Sequence, residues 1–381
     1  MKSEKRPLLT LQKDIKKLLV KGVSGGFFPC AAVGVSRGLG KEKKIVFSHY
    51  GNAISSAVKK PLQKQHFFDL ASLTKPLATT MATLCLINEK KIAVDEELSS
   101  LVEKKISGPQ NNITAGHLLS HSSGLPAHRE YFKDLKDIAP EEINKFVEKL
   151  ILQEQLEYEP GAESLYSDLG FILLGRIIEK KAGCSLEHYV EEKVLQPLKL
   201  QKKIFFAPLS GMKKSHKQSE YVATENCPWR KKVLQGEVHD DNCYTMGGVA
   251  GHSGLFGNIE GVTLYAGLIL DMWKGVFRHP HINREDLVYF LTRQEKIPGS
   301  SWALGFDTPA EKESSCGRYF SQKSVGHLGF TGTSFWIDPE KDVVMVLLSN
   351  RVHPSRENIR IKKYRPYFHD SVMKKMFPGR K

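Results

Sequence analysis

The order of apolar and polar positions along the 381-residue chain predicts strands near both ends and helices between them. Residues 31–36 and 45–50 are short apolar runs joined by a turn-rich segment, which is typical of a β-hairpin. Residues 330–337 and 343–349 repeat this pattern around a second turn. The segment from about 100 to 300 is mainly helical and loop-rich. The sequence therefore predicts an α/β fold whose antiparallel sheet is built from both termini and flanked by helices.

Apolar residues at helical spacing, with polar residues that cap them, set the predicted boundaries of several elements. We expect an amphipathic helix at the N-terminus, a strand at 65–70 and helices at 72–88, 141–156 and 168–182. Ser167 or Asp168 would cap the last of these helices, and Gly183 would end it. We expect one domain over residues 1–381, with sheet regions at approximately 20–95 and 300–350, a helical region at 96–299 and a peripheral basic tail at 351–381.

Composition narrows the class of protein. The net charge of +14 favours acidic partners such as nucleic acid, anionic lipid or cell-wall polymer, but the lysines are spread along the chain without a nucleic-acid motif. We therefore expect a solvated basic surface and no nucleic-acid partner. No apolar run approaches the roughly 20 residues of a transmembrane helix. The N-terminal segment has no continuous apolar region of a signal peptide, which predicts a cytoplasmic protein unless a leader was removed. The six cysteines are scattered and show no zinc spacing, so we expect them to be reduced.

The stretch Asp-Leu-Ala-Ser-Leu-Thr-Lys-Pro, residues 69–76, carries the first candidate chemistry. Ser72 and Lys75 are three residues apart, so a helix that begins at the serine places both side chains on one face. An amine beside a hydroxyl can take its proton, or hold a second base that does, and so make serine a nucleophile. From this stretch alone, a helix cap with a surface lysine is an equally good interpretation.

Two more motifs lie where side chains can enter a cleft. Tyr166-Ser167-Asp168 precedes a predicted helix, and Gly326-His327-Leu328-Gly329 opens the C-terminal hairpin, where glycines let a substrate lie against the strand. Taken singly, Tyr166 is equally compatible with a core aromatic and His327 with an ordinary strand residue. A further pair of serines, Ser122 and Ser123, has no base in register, and we interpret it as a helix end.

Together these motifs resemble the serine β-lactamase and penicillin-binding protein superfamily, in particular its class C-like branch of D-amino-acid peptidases, carboxypeptidases and esterases. The resemblance covers roughly residues 20–350 and rests on segments in the family's order, at 68–75, 118–126, 158–161, 166–168 and 326–333. It implies a β-lactamase-like fold. It also implies an acylated nucleophile at Ser72, an activating Lys75, a general base or relay at Tyr166, an oxyanion hole from the backbone N–H groups of Ser72 and Phe330, and substrate contacts at Asp168, His327 and Gly329.

The implied reaction is acyl transfer to water through a covalent acyl-serine, with no cofactor and a small-molecule or peptide substrate. The bond cleaved would be an ester, or an amide or peptide bond in which a D-residue is one option. Asp168 stands where many family members have Asn, and His327 and Leu328 replace the Lys and Thr of K-T-G. Because these residues offer no fixed cation to a carboxylate, we expect an esterase or an amidase for neutral or cationic acyl groups. The alternatives are a β-lactamase or D-Ala-D-Ala carboxypeptidase, or a non-catalytic sensor on the same fold. The sequence leaves the oligomeric state open.

A glycine-rich run at 236–257 would lie near the mouth of the cleft in the branch that the chain resembles. His239 and His252 would then touch substrate, or bind a metal together with Asp240 and Asp241. The implied mechanism requires no metal, so we predict no metal site.

Overall fold

The computed structural model describes residues 2–55, 59–135, 138–210, 216–297 and 299–378. Within these ranges the strands are β1 (Cys30–Arg37), β2 (Lys44–Ser55), β3 (Lys59–Pro61), β4 (Phe68–Asp69), β5 (Ile204–Phe206), β6 (Asn226–Cys227), β7 (Lys232–Val233), β8 (Leu255–Gly257), β9 (Val325–Leu328), β10 (Ser334–Asp338) and β11 (Val343–Ser349). The α-helices are α1 (Lys2–Ser24), α2 (Met81–Asn88), α3 (Leu98–Leu101), α4 (Ala115–Leu119), α5 (Pro140–Leu152), α6 (Asp168–Ala182), α7 (Leu186–Tyr189), α8 (Asp241–Thr245), α9 (Ile259–Trp273), α10 (Arg284–Phe290) and α11 (Ile361–Met376).

The main sheet joins the two ends of the chain. Its six strands have the order β3-β2-β1-β11-β10-β9, so the N-terminal and C-terminal hairpins meet at its centre. Strands β1 and β11 pair antiparallel, with Ala31 opposite Ser349 and Val35 opposite Met345. This pairing confirms the predicted antiparallel sheet built from both termini.

Helices cover both faces of this sheet, which explains why β1 and β11 are apolar at nearly every position. Alternate side chains of a strand point to opposite faces. One set, including Val33 and Met345, packs with α1 and α11, and the other set, including Ala32 and Val346, packs in the large core that contains α9. Residues buried on either face therefore have to be apolar, and the alternation typical of a half-exposed sheet is lost.

The C-terminal segment belongs to the body of the fold. Helix α11 packs against α1, and the Tyr364 hydroxyl donates to the Leu18 carbonyl at 2.9 Å. Phe368 and Arg365 are buried. The prediction that residues 351–381 form a peripheral tail is therefore wrong. Because this segment is rich in lysine, the sequence pattern did not reveal the apolar positions of a helix that packs on the sheet.

The segment that carries Ser72 differs in detail from the prediction. The expected strand at 65–70 is reduced to β4, and its two residues pair with β8. A 3₁₀ turn (Ala71–Leu73), a π-helical segment (Lys75–Thr80) and α2 then follow one another. The helical path to Asn88 is confirmed, although its first half is not α-helical. A π-helical turn is uncommon and is found most often at functional sites.

Other predicted boundaries agree to within a few residues, with three exceptions, of which the first is β2, whose end at Ser55 lies five residues beyond the prediction. Helix α6 spans the predicted residues; Ser167, rather than Asp168, caps it by accepting from the Gly170 N–H at 3.3 Å. Helix α5 ends at Leu152, four residues earlier than predicted. The predicted strand at 330–337 begins only at Ser334, because residues 325–328 form the separate edge strand β9.

None of the helices in the described ranges is both long enough and apolar enough to cross a lipid bilayer.

Candidate active site

Ser72, Lys75, Asp168 and Tyr166 meet at the start of the apolar helical segment. The Lys75 Nζ donates to Ser72 Oγ at 3.1 Å and to Asp168 Oδ1 at 2.6 Å, and it lies 4.9 Å from the centre of the Tyr166 ring. It also donates to the His252 carbonyl at 3.3 Å. The lysine side chain is fully buried, which makes a surface lysine beside a helix cap the wrong interpretation.

The charges around Lys75 favour its protonated form. Burial by itself works to lower the pKa of the Lys75 amine, but the Asp168 carboxylate and the Tyr166 phenol outweigh burial and raise it. Burial also opposes ionisation of Asp168; Lys75 and a hydrogen bond from His128 reverse this effect and hold the pKa of the carboxyl well below its usual range. Lys75 and Asp168 therefore form an ammonium–carboxylate pair at neutral pH.

Tyr166 is held in an aromatic pocket. Its ring centre lies 4.6 Å from that of His121 and 5.6 Å from that of Trp302. Burial raises the pKa of the Tyr166 phenol, and the positive charge of Lys75 offsets this increase only in part. The resting site therefore holds a neutral phenol. Lys75 does not hold Tyr166 as a phenolate at rest, because Asp168 already neutralises the lysine.

A strained turn presents Ser72. Ala71, directly before it, has φ +48°, a backbone conformation that costs about 1–3 kcal/mol for a residue other than glycine. The buried Asp69 carboxylate supports this turn, because it accepts from the Ala71 N–H at 2.8 Å and from the His239 N–H at 2.6 Å. Asp69 thereby fixes the nucleophile turn to the glycine-rich run.

The loop between β9 and β10 closes the other side of Ser72. The Thr331 and Thr333 hydroxyls donate to the backbone carbonyls of Asp69 and Leu70 at 2.8 and 3.0 Å. A Cβ at position 329 would lie 1.9 Å from Thr333 Oγ1 and 2.7 Å from the Leu70 carbonyl oxygen, so this approach requires glycine. Gly329 also lines the cleft, so the substrate contact predicted for it stays a prediction, and its lack of a side chain is in addition a structural requirement. It permits the loop to reach the nucleophile segment.

The two backbone N–H groups predicted for an oxyanion hole are free to bind a ligand. Ser72 and Phe330 both line the cleft. Within the described part of the chain, neither N–H donates a hydrogen bond. The Gly329 carbonyl, which shares a peptide unit with the Phe330 N–H, accepts from Arg365 Nη2 at 2.9 Å, and this bond fixes the orientation of that unit.

His327 lies on the neighbouring strand β9 and is neutral. Burial, assisted by the positive charge of Lys75, lowers the pKa of its imidazole to about 3. Its Nδ1 contacts the Leu328 carbonyl at 2.8 Å, and its ring lies 6.0 Å from that of Tyr166. The site therefore carries no cation at the position of the K-T-G lysine.

A cleft of about 850 Å³ opens above these residues. Its lining includes the carboxylates of Asp168, Asp240 and Glu130 and the guanidinium groups of Arg351, Arg356 and Arg365. Arg365 donates to the Gly329 and Thr333 carbonyls at 2.9 and 2.8 Å, and burial lowers the pKa of its guanidinium to about 9. The C-terminal segment, which the sequence pattern predicted to be a peripheral tail, thus supplies cations to the cleft.

The glycine-rich run lies at the cleft, as predicted, but its histidines are engaged separately. His239 Nε2 contacts Glu225 Oε2 at 3.0 Å, and His252 Nε2 contacts Asp240 Oδ1 at 2.8 Å. His239, Asp240 and Asp241 line the cleft. Among the residues that the structure describes, no three His, Cys, Asp or Glu side chains are grouped to hold a metal ion.

Three aromatic or imidazole side chains of the site were not predicted. His121 and Trp302 enclose Tyr166, and their rings are 4.4 Å apart. His128 Nδ1 lies 3.4 Å from Asp168 Oδ2, and that carboxylate raises the pKa of the imidazole. A sequence signal existed for His121 and His128, because they lie in and just after the 118–126 motif. Trp302 had none.

The serine after His121 is not a second nucleophile. Ser122 is fully buried, and its Oγ lies 2.8 Å from Ser120 Oγ. The interpretation of this segment as a helix end is confirmed, since α4 ends at Leu119. Thr114 caps α4 by accepting from the His117 N–H at 3.2 Å.

The fold and this arrangement define a serine hydrolase whose serine and lysine lie one helical turn apart. The sequence profile of the Beta-lactamase family matches residues 20–365, and the chain belongs to that family. It is an enzyme that acts through an acyl-serine intermediate.

Two curated relatives are similar to most of the chain. The N-acetylmuramyl-L-alanine amidase of Bacillus subtilis (strain 168) is 30% identical over 323 residues, which cover 78% of this chain and 71% of the relative. A putative D-alanyl-D-alanine carboxypeptidase of Escherichia coli (strain K12) is 32% identical over 307 residues, covering 75% and 69%.

Solved structures show the same fold at lower identity. EstCE1, a hydrolase with promiscuous acyltransferase activity, superimposes with a TM-score of 0.73 at 19% identity, over 96% of this chain and 99% of EstCE1. Unliganded simvastatin synthase (LovD) from Aspergillus terreus gives a TM-score of 0.68 at 16% identity, over 97% and 98%. These similarities confirm the predicted β-lactamase-like fold.

Proposed function

We propose that this serine hydrolase cleaves esters or amides with Ser72 as the nucleophile. The observation that carries the proposal is the contact of 3.1 Å between Lys75 Nζ and Ser72 Oγ in a buried site beside Tyr166. The substrate carbonyl oxygen would lie between the N–H groups of Ser72 and Phe330. Donors of this kind, aimed at a developing oxyanion, typically contribute a factor of about 10²–10³ each to kcat.

The proposed proton path runs through Tyr166. Ser72 Oγ attacks the carbonyl carbon, and its proton moves to the phenolic oxygen of Tyr166. The tetrahedral intermediate then collapses: its bond to the leaving oxygen or nitrogen breaks, and that atom takes the proton from Tyr166. Water repeats the sequence on the acyl-serine and releases the acid. Because Lys75 and Tyr166 are both protonated at rest, the pair has to lose one proton before the first attack.

Asp168 acts in this proposal by holding Lys75. With its Oδ1 at 2.6 Å from Nζ, the carboxylate fixes the ammonium against Ser72. This assignment adds a positioning role to the substrate contact predicted for Asp168, since its charge is directed to Lys75 and His128. Both carboxylate oxygens are engaged on the protein side.

The substrate class follows from the charge of the cleft. A neutral His327 gives a carboxylate no fixed partner beside the nucleophile, and Asp168, Asp240 and Glu130 are among the carboxylates that line the cleft. The cations of the cleft come from the C-terminal segment, where Arg351 and Arg365 donate to the backbone carbonyls of Phe330 and Gly329. We infer a preference for esters or amides with neutral or cationic acyl groups. A D-alanyl-D-alanine carboxypeptidase reaction, by similarity to the E. coli relative, is the second candidate.

A cytoplasmic location stays a prediction.

A fluorophosphonate probe tests the nucleophile. We expect stoichiometric labelling of the wild-type enzyme, and mass spectrometry should locate the adduct on Ser72. Ser72→Ala should abolish both labelling and hydrolysis of p-nitrophenyl esters without changing the unfolding midpoint. Ser122→Ala is the matched control and should still label. Labelling that persists in Ser72→Ala would place the nucleophile elsewhere, and an unlabelled wild type would favour a non-catalytic sensor.

A further inference from the structure

A second groove, of about 540 Å³, lies between the C-terminal end of α1 and the start of α11. We call it the terminal-helix groove; Phe27, Ile359 and Tyr367 supply apolar surface, and Lys21, Arg360 and Lys363 are among its cations. It lies outside the groups assigned to catalysis, and its occupant is inferred independently of their roles.

The apolar part of the groove is open to solvent. Ile359 is 60% exposed and Tyr367 is 51% exposed, values that are high for large apolar side chains. Phe27 is half-buried and packs on Tyr364, with ring centres 5.1 Å apart. Large apolar side chains grouped in a concave surface mark a place where an apolar ligand gains stability by leaving water.

Cations without acidic partners surround this surface. Lys21, Lys362, Lys363 and Arg360 are exposed, and within the described part of the chain none of these four forms an ion pair. The Arg360 guanidinium lies 4.9 Å from the centre of the Phe27 ring.

Nearby carboxylates leave that charge uncompensated. Asp14 of α1 pairs with Lys17 and Lys375, and Asp370 of α11 pairs with Arg318. Glu357 lines the neighbouring cleft but not the groove. The groove therefore has a positive field over an apolar floor, and both favour one chemical type of ligand.

The groove adjoins the active-site cleft. Ile359 and Lys362 line both cavities. A chain that leaves the cleft past Phe330 would cross these two side chains before it reached Phe27 and Tyr367. A ligand of the groove would consequently lie beside the entrance to the cleft.

We propose that the terminal-helix groove binds a single anionic amphiphile, an unbranched apolar chain with a phosphate or carboxylate head. The chain lies on Phe27, Ile359 and Tyr367, and the head meets Lys21, Arg360 and Lys363. The apolar floor gives little to a small free anion, and the cations disfavour a positively charged amphiphile. The dimensions suit one chain rather than a bilayer surface.

Dodecyl phosphate, kept below its micelle concentration, is the probe for isothermal titration calorimetry. We expect binding to one site, at least about tenfold tighter than that of butyl phosphate or dodecyltrimethylammonium. Ile359→Ser and Lys363→Glu should each weaken it, and the double variant should lose about tenfold or more. Lys374→Glu makes the same charge change at the other end of α11, outside the groove, and should bind like the wild type.

Unfolding midpoints of the variants establish that the fold is intact. Three results would each overturn the proposal. Dodecyltrimethylammonium could bind as tightly as dodecyl phosphate, or Lys374→Glu could weaken binding as much as Lys363→Glu does. The protein could also bind anionic vesicles without binding monomeric dodecyl phosphate. Because the readout is binding and not turnover, a failure here leaves the assignment of Ser72 untouched. Conversely, a Ser72→Ala enzyme should still bind dodecyl phosphate.

Discussion

The ammonium of Lys75 and the carboxylate of Asp168 form an ion pair 2.6 Å long, in which the lysine is wholly buried. The same ammonium donates to Ser72 Oγ, so one cation joins the nucleophile to its acidic neighbour. Breaking a buried pair by removing one partner leaves the other charge uncompensated. The pair therefore controls both the position of Lys75 and the ease with which the site loses a proton.

Asp168→Asn should move the acid limb of the pH profile of kcat/KM to lower pH. The carboxylate favours the proton on both Lys75 and Tyr166, so its removal lowers the pKa of each group and the active form appears at lower pH. The plateau rate should fall by about 10–100-fold because Lys75 is held less firmly. Asp240→Asn, in the same cleft but not bonded to Lys75, is the control, and an unmoved limb in Asp168→Asn would refute the proposed coupling.

Lys75 and Tyr166 should act as one unit. Lys75→Ala and Tyr166→Phe remove groups that serve the same proton transfer, so each should lower kcat/KM by several orders of magnitude and the double variant by little more. Steady-state kinetics of the four enzymes on one p-nitrophenyl ester give the comparison. If the losses add on a logarithmic scale, the two residues serve separate steps.

A cation at position 327 should change substrate preference. In the double variant Asp168→Asn with His327→Lys, a charged donor replaces the neutral imidazole, and a hydrogen bond to a charged group contributes about 1.5–3 kcal/mol. The ratio of kcat/KM for a carboxylate-bearing ester to that for its neutral methyl ester should rise about tenfold or more. Asp168→Asn with His327→Gln is the uncharged control. A wild type that hydrolyses cephalosporins or D-Ala-D-Ala peptides faster than neutral esters would contradict the assigned preference.

Gly329→Ala should damage both stability and activity. The added Cβ meets Thr333 Oγ1 at 1.9 Å and the Leu70 carbonyl at 2.7 Å, an overpacking that costs about 1–3 kcal/mol of unfolding free energy. The shift of the loop should displace the Phe330 N–H and lower kcat. Gly170→Ala meets only ordinary contacts, 3.6 Å or longer, and should leave both unchanged. Urea unfolding and ester hydrolysis are measured on the same preparations. Unchanged activity in Gly329→Ala would show that the loop does not form part of the oxyanion hole.

Local spacing in the sequence was enough to predict the centre of the site. Ser72 and Lys75 are three residues apart, and a helical backbone brings them together whether its hydrogen bonds are 3₁₀, α or π. Helix α6 was predicted equally well, because local residues mark both of its ends. The Ser167 side chain caps its start, and Gly183 ends it in the left-handed conformation.

The remainder of the site depends on contacts between distant parts of the chain. Trp302 reaches Tyr166 across 136 positions, and no local pattern marks it. Arg365 belongs to a segment whose many lysines resemble a solvated tail, although apolar residues three or four positions apart pack that helix on the sheet. The protonation of Tyr166 could not be deduced from the sequence, because Asp168, the carboxylate that neutralises Lys75, lies 93 residues from Lys75 along the chain.

Because β1 pairs with β11 at the centre of the sheet, the site is completed only after the C-terminal strands have been synthesised. Ser72 and Lys75 leave the ribosome early, whereas Phe330, Arg351 and the strand that completes the sheet come from the last sixth of the chain. At about 5–20 residues per second, Ser72 waits roughly ten seconds or more for Phe330, the partner proposed for its oxyanion hole. If Ser72 and Phe330 act as proposed, a chain that stops before residue 330 should show no hydrolase activity.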